Sequence, residues 1–264
     1  MDLLVIGTIN IHSTLRTSLK SGALNPVSEY RERFSGSALG VALNASLLGA
    51  EVGIIAPVGR DATGLMDILR RYSVDYSHIV LSSQKTPNFI ELYTAKKHYT
   101  LYYEGATSDL DPDKMAKDYL KQAKIVHVCF PDSRTAENIV KKVRTQKRIP
   151  SIDTEFADIE ADIVFTAQKR EGKGTVVMDF EKGIEVNGKA IPSFMEKDEK
   201  SKRAKDAFIA GFLVRYLKSE HTESAAMYGL CAAYLCSKGN QRVLSCGKEE
   251  IDTLFDEKMK TITF

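Results

Sequence analysis

The chain has 264 residues, of which 43% are hydrophobic and 27% are charged, the composition of a globular protein that buries a core. Its formal net charge is +2, far below that of a dedicated nucleic-acid-binding protein, so no nucleic-acid partner is predicted. The first seven residues are too short for a signal peptide, and no apolar run approaches the roughly 20 residues that span a bilayer. We expect a cytoplasmic protein without a membrane partner.

Strand-like apolar runs alternate with helical patterns along most of the chain. Strands are predicted at 2–7, 52–57, 79–81, 125–130, 152–153, 162–165 and 175–178, and helices at 37–48, 61–72, 113–122, 135–145, 206–218, 222–237 and 248–257. Asp61 is predicted to cap the second helix. This alternation favours a mostly parallel sheet with helices on both faces, and such sheets bind ligands at the carboxyl ends of their strands.

Two regions do not fit this alternation. Residues 89–94 and 98–103 flank a short turn and predict a hairpin, and residues 11–17 and 27–34 are also extended. Together they predict a small side sheet that projects from the main sheet as a lid. We therefore expect a single domain over 1–264, with the lid formed from about 12–34 and 87–104.

The four cysteines, Cys129, Cys231, Cys236 and Cys246, form no CxxC pair. We interpret them as buried free thiols and predict no metal-ligating residues. His127 lies two residues before Cys129 in an apolar run, so both are expected on one face of a buried strand.

The order of the elements and several motifs resemble the ribokinase/PfkB carbohydrate kinase family over nearly the whole chain. The segments that carry the resemblance are 7–11, 35–42, 58–64, 74–77 and 206–213. The resemblance implies a three-layer α/β/α sandwich with a small β lid. It also implies ATP-dependent phosphotransfer to a hydroxyl of a sugar or nucleoside, with Mg²⁺ as cofactor and a homodimer formed through the lid.

In this resemblance Asp206 stands where the family has its catalytic base, and the six residues after it match the family pattern. An aspartate at a helix N-terminus is otherwise an ordinary cap. Arg203, Ala204 and Lys205 replace the family's glycine-rich anion hole. They precede a helix N-terminus, which attracts phosphate, and two of them add cations. The alternative is a solvated charge run beside a pocket that no longer binds nucleotide.

Seven residues are predicted to bind the substrate: Asn10, His12, Gly36, Ser37, Gly40, Asn44 and Asp132. His12 replaces a family aspartate and Gly40 a family asparagine, while Asn44 lies one turn after Gly40 on the same helix face. Asp132 follows a strand and supplies either a substitute carboxylate or a helix cap.

The nucleotide side departs most from the family pattern. Residues 167–170 replace its "NxxE" motif and residues 178–180 its "TxG" turn. These departures leave an alternative function open: a catalytically impaired protein of the same fold that acts as a small-molecule binding or regulatory protein.

Overall fold

The computed structural model describes residues 1–155, 159–170, 172–180, 182–195, 204–239 and 243–261. The strands in this part of the chain are β1 (Leu3–Gly7), β2 (Asn10–Thr17), β3 (Val27–Ser35), β4 (Val52–Ile55), β5 (Pro57–Gly59), β6 (Val80–Ser82), β7 (Asn88–Tyr93), β8 (His98–Tyr103), β9 (Ile125–Cys129), β10 (Ile149–Asp153), β11 (Ile163–Thr166), β12 (Thr175–Asp179), β13 (Gly183–Val186) and β14 (Lys189–Pro192). The helices are α1 (Ser37–Leu47), α2 (Leu65–Arg71), α3 (Lys117–Gln122), α4 (Ser133–Thr145), α5 (Lys205–Ser219), α6 (Thr222–Lys238) and α7 (Lys248–Thr261).

Eight strands form the main sheet, in the order β14-β13-β12-β11-β10-β9-β1-β4. In this sheet the neighbouring strands β12, β11, β10, β9, β1 and β4 are parallel. The strands β13 and β14 add an antiparallel edge. Leu3 and Val5 of β1 face a core shared with α1, α5 and α6, whereas Leu4 and Ile6 face a core shared with α3 and α4. Successive strand residues therefore bury opposite faces, as an α/β sandwich requires. The predicted fold class is confirmed.

A separate four-stranded sheet, here called the small sheet, has the order β3-β2-β7-β8. Its strand β2 begins only three residues after β1 ends, so the chain passes directly from the carboxyl end of the main sheet into the small sheet. β2 pairs antiparallel with β3 and parallel with β7. The small sheet thus stands over the edge at which parallel α/β sheets bind ligands.

Several local predictions differ from the structure. The predicted helix 113–122 consists of a 3-10 turn (Pro112–Lys114) and the separate helix α3. The predicted helix 61–72 begins only at Leu65, after Gly64 in a left-handed conformation (φ 85°). The prediction that Asp61 caps this helix is wrong, because its Oδ1 accepts hydrogen bonds from the Thr86 backbone N–H (2.9 Å) and hydroxyl (2.7 Å) instead. The predicted strand 52–57 divides into β4 and β5.

The edge hairpin β13–β14 was not predicted. Its turn contains Asn187 and Gly188, both with positive φ (51° and 81°). Asn-Gly is the strongest short-range signal for a two-residue hairpin turn, so the sequence does carry a signal for this hairpin.

All four cysteines are free, and three of them are buried while Cys246 is half-buried. No helix in the described ranges is long and apolar enough to cross a membrane.

Candidate active site

The larger of two cavities near the carboxyl end of the main sheet has a volume of about 510 Å³ and lies between that sheet and the small sheet. Its walls come from strand ends, from the small sheet and from the starts of α1 and α5. The lining residues include Thr8, Asn10, His12, Ser35, Gly36, Ser37, Phe89, Glu91, Thr100, Tyr102, Cys129, Phe130, Asp153, Glu155 and Lys205. We call it the larger cavity. Among the predicted site residues, the structure brings Asn10, His12, Gly36, Ser37 and Lys205 together there.

Asn10 and His12 both lie on β2 and are nearly buried, at 6% and 9% exposure. The side-chain oxygen Oδ1 of Asn10 has no hydrogen-bond partner among the described residues. Nε2 of His12 lies 3.0 Å from Oε2 of Glu91 on β7, without forming an aligned hydrogen bond. An unsatisfied buried acceptor is costly, so the wall is suited to a ligand that donates a hydrogen bond.

Gly36 precedes α1 and borders the larger cavity. Its φ is 110°, and a Cβ at this position would overlap the carbonyl oxygen of Thr8. Only glycine fits both conditions. The backbone N–H groups of the first turn of α1 point toward this end of the helix, and no side chain of the described residues caps them.

Lys205 is the first residue of α5, and its Nζ lies 2.7 Å from Oδ2 of Asp153 at the end of β10. Burial alone would lower the pKa of Lys205, but nearby anionic groups, chiefly the Asp153 carboxylate and then that of Asp206, raise that pKa above its usual value. Lys205 therefore stays cationic and is directed across the larger cavity toward β10.

Ala204, immediately before α5, is fully buried and provides no side-chain cap. Arg203, predicted to bind phosphate, lies outside the described residues.

Asp206 lies in the first turn of α5 and is 4% exposed. Its carboxyl group packs on Gly40 in the middle of α1. A Cβ on Gly40 would lie 2.7 Å from Cγ and 2.8 Å from Cβ of Asp206, closer than real side chains approach. Glycine at position 40 therefore leaves the space that the Asp206 carboxylate occupies, and a larger residue there would fill it. We call this space the seat of Asp206.

Asp206 lines a second cavity of about 430 Å³ and does not line the larger one. The second cavity lies beside α1 and α2 and shares Ser35 and Gly36 with the larger cavity. Its other lining residues are Arg33, Phe34, Leu39, Gly40, Leu43, Ile68, Arg71, Tyr72 and Val243. Gly36 thus borders both the cavity that Lys205 lines and the cavity that Asp206 lines.

Two predicted substrate residues lie outside both cavities. Asn44 is fully buried; its Nδ2 donates to the Gly40 carbonyl (2.8 Å) and its Oδ1 accepts from Leu244 N–H (2.8 Å). It ties α1 to the segment before α7. Asp132 is exposed and caps α4, where its carboxylate accepts from the Thr135 N–H at 2.7 Å. Hydrogen bonding to the Thr135 side chain, together with that to its backbone N–H, lowers the pKa of Asp132. The sequence left two roles open for Asp132, a substitute carboxylate for the substrate or a helix cap, and in the structure it caps α4.

His127 and Cys129 both lie on β9, as expected. His127 is fully buried beside the Ser151 hydroxyl (Nδ1 to Oγ 3.0 Å), and burial lowers its pKa to about 3, so the ring is neutral. Cys129 borders the larger cavity, and burial together with nearby carboxylates raises the pKa of its thiol. The sequence did not single out Glu91, because its position beside His12 depends on strand pairing rather than on a motif.

Comparison with known proteins agrees with this architecture. Residues 1–161 match the model of the pfkB family carbohydrate kinases. A nucleoside kinase of Methanocaldococcus jannaschii, an archaeal member of the ribokinase family, has a similar fold (TM-score 0.79, 16% identity, 97% of this chain and 99% of that chain). So does the ribokinase of Thermotoga maritima (TM-score 0.80, 15% identity, 97% and 99%). The Arabidopsis thaliana ribokinase, complexed with ribose and ATP, matches with a TM-score of 0.80 at 16% identity over 96% of this chain and 98% of that chain.

Proposed function

This chain belongs to the pfkB family of carbohydrate kinases, and from that premise we propose that it transfers the γ-phosphoryl group of ATP to a hydroxyl of a sugar or nucleoside held in the larger cavity. The observation that carries the proposal is the arrangement at the start of α5. A buried carboxylate, Asp206, and a cation, Lys205, lie together at a helix N-terminus facing the carboxyl end of the main sheet. Phosphoryl transfer requires such positioning, charge stabilisation and a base.

We propose Asp206 as the base. It takes the proton of the acceptor hydroxyl while the acceptor oxygen bonds to the γ-phosphorus and the bond from that phosphorus to ADP breaks. In the structure its carboxylate rests on Gly40, next to Gly36, which borders both cavities. Catalytic hydrogen bonds commonly tighten only when substrate is bound. We expect the Asp206 side chain to turn past Gly36 toward the acceptor.

The proposed donor is ATP, which the Arabidopsis ribokinase holds together with ribose. The N-terminus of α5 suits its phosphates, because no side chain in the described residues caps this helix. Arg203 stays a predicted phosphate ligand outside those residues. Mg²⁺, when bound, neutralises phosphate charge. Within the described ranges no three His, Cys, Asp or Glu side chains cluster closely enough to hold a metal ion, so phosphate oxygens would supply most of its ligands, as is common for Mg²⁺.

The test is direct detection of transfer. The purified protein is incubated with ATP, Mg²⁺ and a panel of sugars and nucleosides, and ³¹P NMR follows ADP and the phosphomonoester product. A phosphomonoester that forms only with an acceptor present supports the proposal. Absence of product with every acceptor that binds would contradict it and favour a binding protein.

We also propose a homodimer formed through the small sheet. Its edge strand β8 is exposed along its whole length, and it carries Tyr99, Leu101, Tyr102 and Tyr103 at 41–53% exposure. Exposed strand edges with apolar side chains pair readily with another chain. Light scattering during size-exclusion chromatography measures the mass; a monomer of 29.3 kDa at all concentrations contradicts the dimer.

The proposed location is cytoplasmic, without nucleic-acid or membrane partners.

A further inference from the structure

The wall that the small sheet presents to the larger cavity contains a carboxylate. Glu91 lies on β7, and its side chain is 29% exposed. One carboxylate oxygen lies 3.0 Å from Nε2 of His12, and the other lies 3.9 Å from Nε2 of His98. Glu91 thus lies between two imidazoles at the cavity wall, and its carboxylate retains lone pairs for a ligand.

A second acceptor lines the same cavity. Oδ1 of Asn10 on β2 is buried and has no hydrogen-bond partner in the described part of the chain. Asn10 and Glu91 both line the larger cavity. Acceptors from two neighbouring strands match a ligand that brings several hydroxyl donors. The rings of Phe89 and Tyr102, with centroids 4.5 Å apart, add an apolar part to the same wall, suitable for the C–H face of such a ligand.

The charges around the cavity favour a neutral ligand. Among the described residues that line it, Glu91, Asp153 and Glu155 are carboxylates, and Lys205 and His12 are the basic side chains. The Lys205 cation is paired with Asp153 at 2.7 Å, and His12 faces Glu91. Each of these two basic side chains thus already faces a carboxylate, so an anionic group near the small sheet would meet Glu91 without an unpaired cation among the described lining residues.

We propose that Glu91 is a specificity-determining residue of the larger cavity, which selects an uncharged polyhydroxylated acceptor over a phosphorylated one. Its carboxylate accepts hydrogen bonds from acceptor hydroxyls and repels an acceptor phosphate. Nε2 of His12 faces this carboxylate at 3.0 Å. This inference rests on the proposed function in treating the ligand as the phosphoryl acceptor, but it concerns binding and needs no catalysis.

The test is isothermal titration in the absence of ATP, with ribose, inosine and ribose 5-phosphate as probes. Wild type should bind ribose or inosine at least about tenfold more tightly than ribose 5-phosphate. Glu91→Gln keeps the shape but removes the charge. It should weaken binding of the neutral probe about tenfold, because hydrogen bonds to charged groups are the stronger ones. It should also reduce the discrimination against ribose 5-phosphate.

Glu29→Gln is the matched control. Glu29 lies on β3 of the same sheet, its side chain is 32% exposed, and it pairs with Arg16 and Arg31 outside the larger cavity. It should leave all three affinities unchanged. Thermal melting of both variants verifies that they fold.

Three results would overturn the proposal: wild type binds ribose 5-phosphate as tightly as ribose and inosine, it binds none of the three probes, or Glu29→Gln has the same effect as Glu91→Gln. The proposed function can fail separately. If the binding pattern is found but no phosphoryl group is transferred, the kinase activity is refuted while the role of Glu91 stands.

Discussion

The larger and the second cavity share Ser35 and Gly36, yet each receives a different residue from the start of α5. Lys205 lines the larger cavity between the two sheets, and Asp206 lines the second cavity, whose walls include Leu39, Leu43 and Ile68. Successive residues of a helix point about 100° apart, so one helix start supplies a cation to one space and a carboxylate to the other. Under the proposed mechanism, rotation of the Asp206 side chain would bring the proposed base to an acceptor in the larger cavity.

Asp206→Asn is expected to have the largest effect. It removes the proposed base without changing shape, so turnover should fall by roughly 10²–10⁴-fold while the acceptor KM changes little. Steady-state release of ADP measures this. Asp118→Asn is a matched control, because Asp118 also lies in the first turn of a helix, α3, but is exposed. Turnover of Asp206→Asn close to wild type would reduce Asp206 to a structural role.

Gly40→Ala should have the next largest effect. The added methyl group would occupy the seat of Asp206, and a displaced catalytic group loses about tenfold to a hundredfold in rate. In an Asp206→Ala background the same change should destabilise the protein less than in wild type, because the clash with the carboxyl carbon Cγ is removed while the 2.8 Å approach to the Cβ of residue 206 remains. Turnover and urea unfolding of the four proteins complete the cycle. A single Gly40→Ala variant that is more stable and fully active would contradict the proposed seat.

Lys205→Met tests the cation of the larger cavity. Asp153, with a side chain 6% exposed, would lose its partner. Unfolding free energy should fall by about 1–3 kcal/mol, less than for a fully buried pair because the Lys205 side chain is 34% exposed. Adding Asp153→Asn should recover part of the loss. The control is Lys141→Met, which breaks the exposed pair with Glu137 and should cost under about 0.5 kcal/mol. Equal urea-unfolding curves for the two single variants would mean that the Lys205–Asp153 pair stabilises nothing.

Arg71→Ala should have the smallest effect. Arg71 lines only the second cavity and is exposed, so acceptor affinity and stability should stay within about 0.5 kcal/mol of wild type. Titration with the acceptor measures the affinity. A large loss would place the acceptor in the second cavity, beside Asp206, and reverse the assignment of the two spaces.

Most of the main sheet could be predicted because its strands are buried on both faces. β1 is apolar throughout apart from Gly7 and fully buried, and such runs are recognisable without knowledge of their neighbours. The Asp61 cap failed because Thr86, 25 residues later, offers the same carboxylate two hydrogen bonds. A local signal cannot anticipate a stronger partner that only the fold supplies.

In the predicted site, too, local patterns could be recognised from the sequence but long-range contacts could not. Asn44 does lie on the same helix face as Gly40. A segment 200 residues further along the chain packs there, and its Leu244 N–H donates a hydrogen bond to Oδ1 of Asn44. Glu91 escaped prediction because its position at the cavity depends on the pairing of β7 with β2 and β8. Its contact with His12 is a consequence of strand register.

By itself the sequence determined the α/β alternation, the small sheet and the acidic residue at the start of α5, because these depend on periodicity and on motifs within a few residues. Only the tertiary structure decided that Lys205 pairs with Asp153, that Asp206 rests on Gly40, and that the two residues border different cavities. The physical reason is that these contacts join α5 to elements far earlier in the chain. The close packing of α1 against α5, which glycine at position 40 permits, determines where each side chain fits.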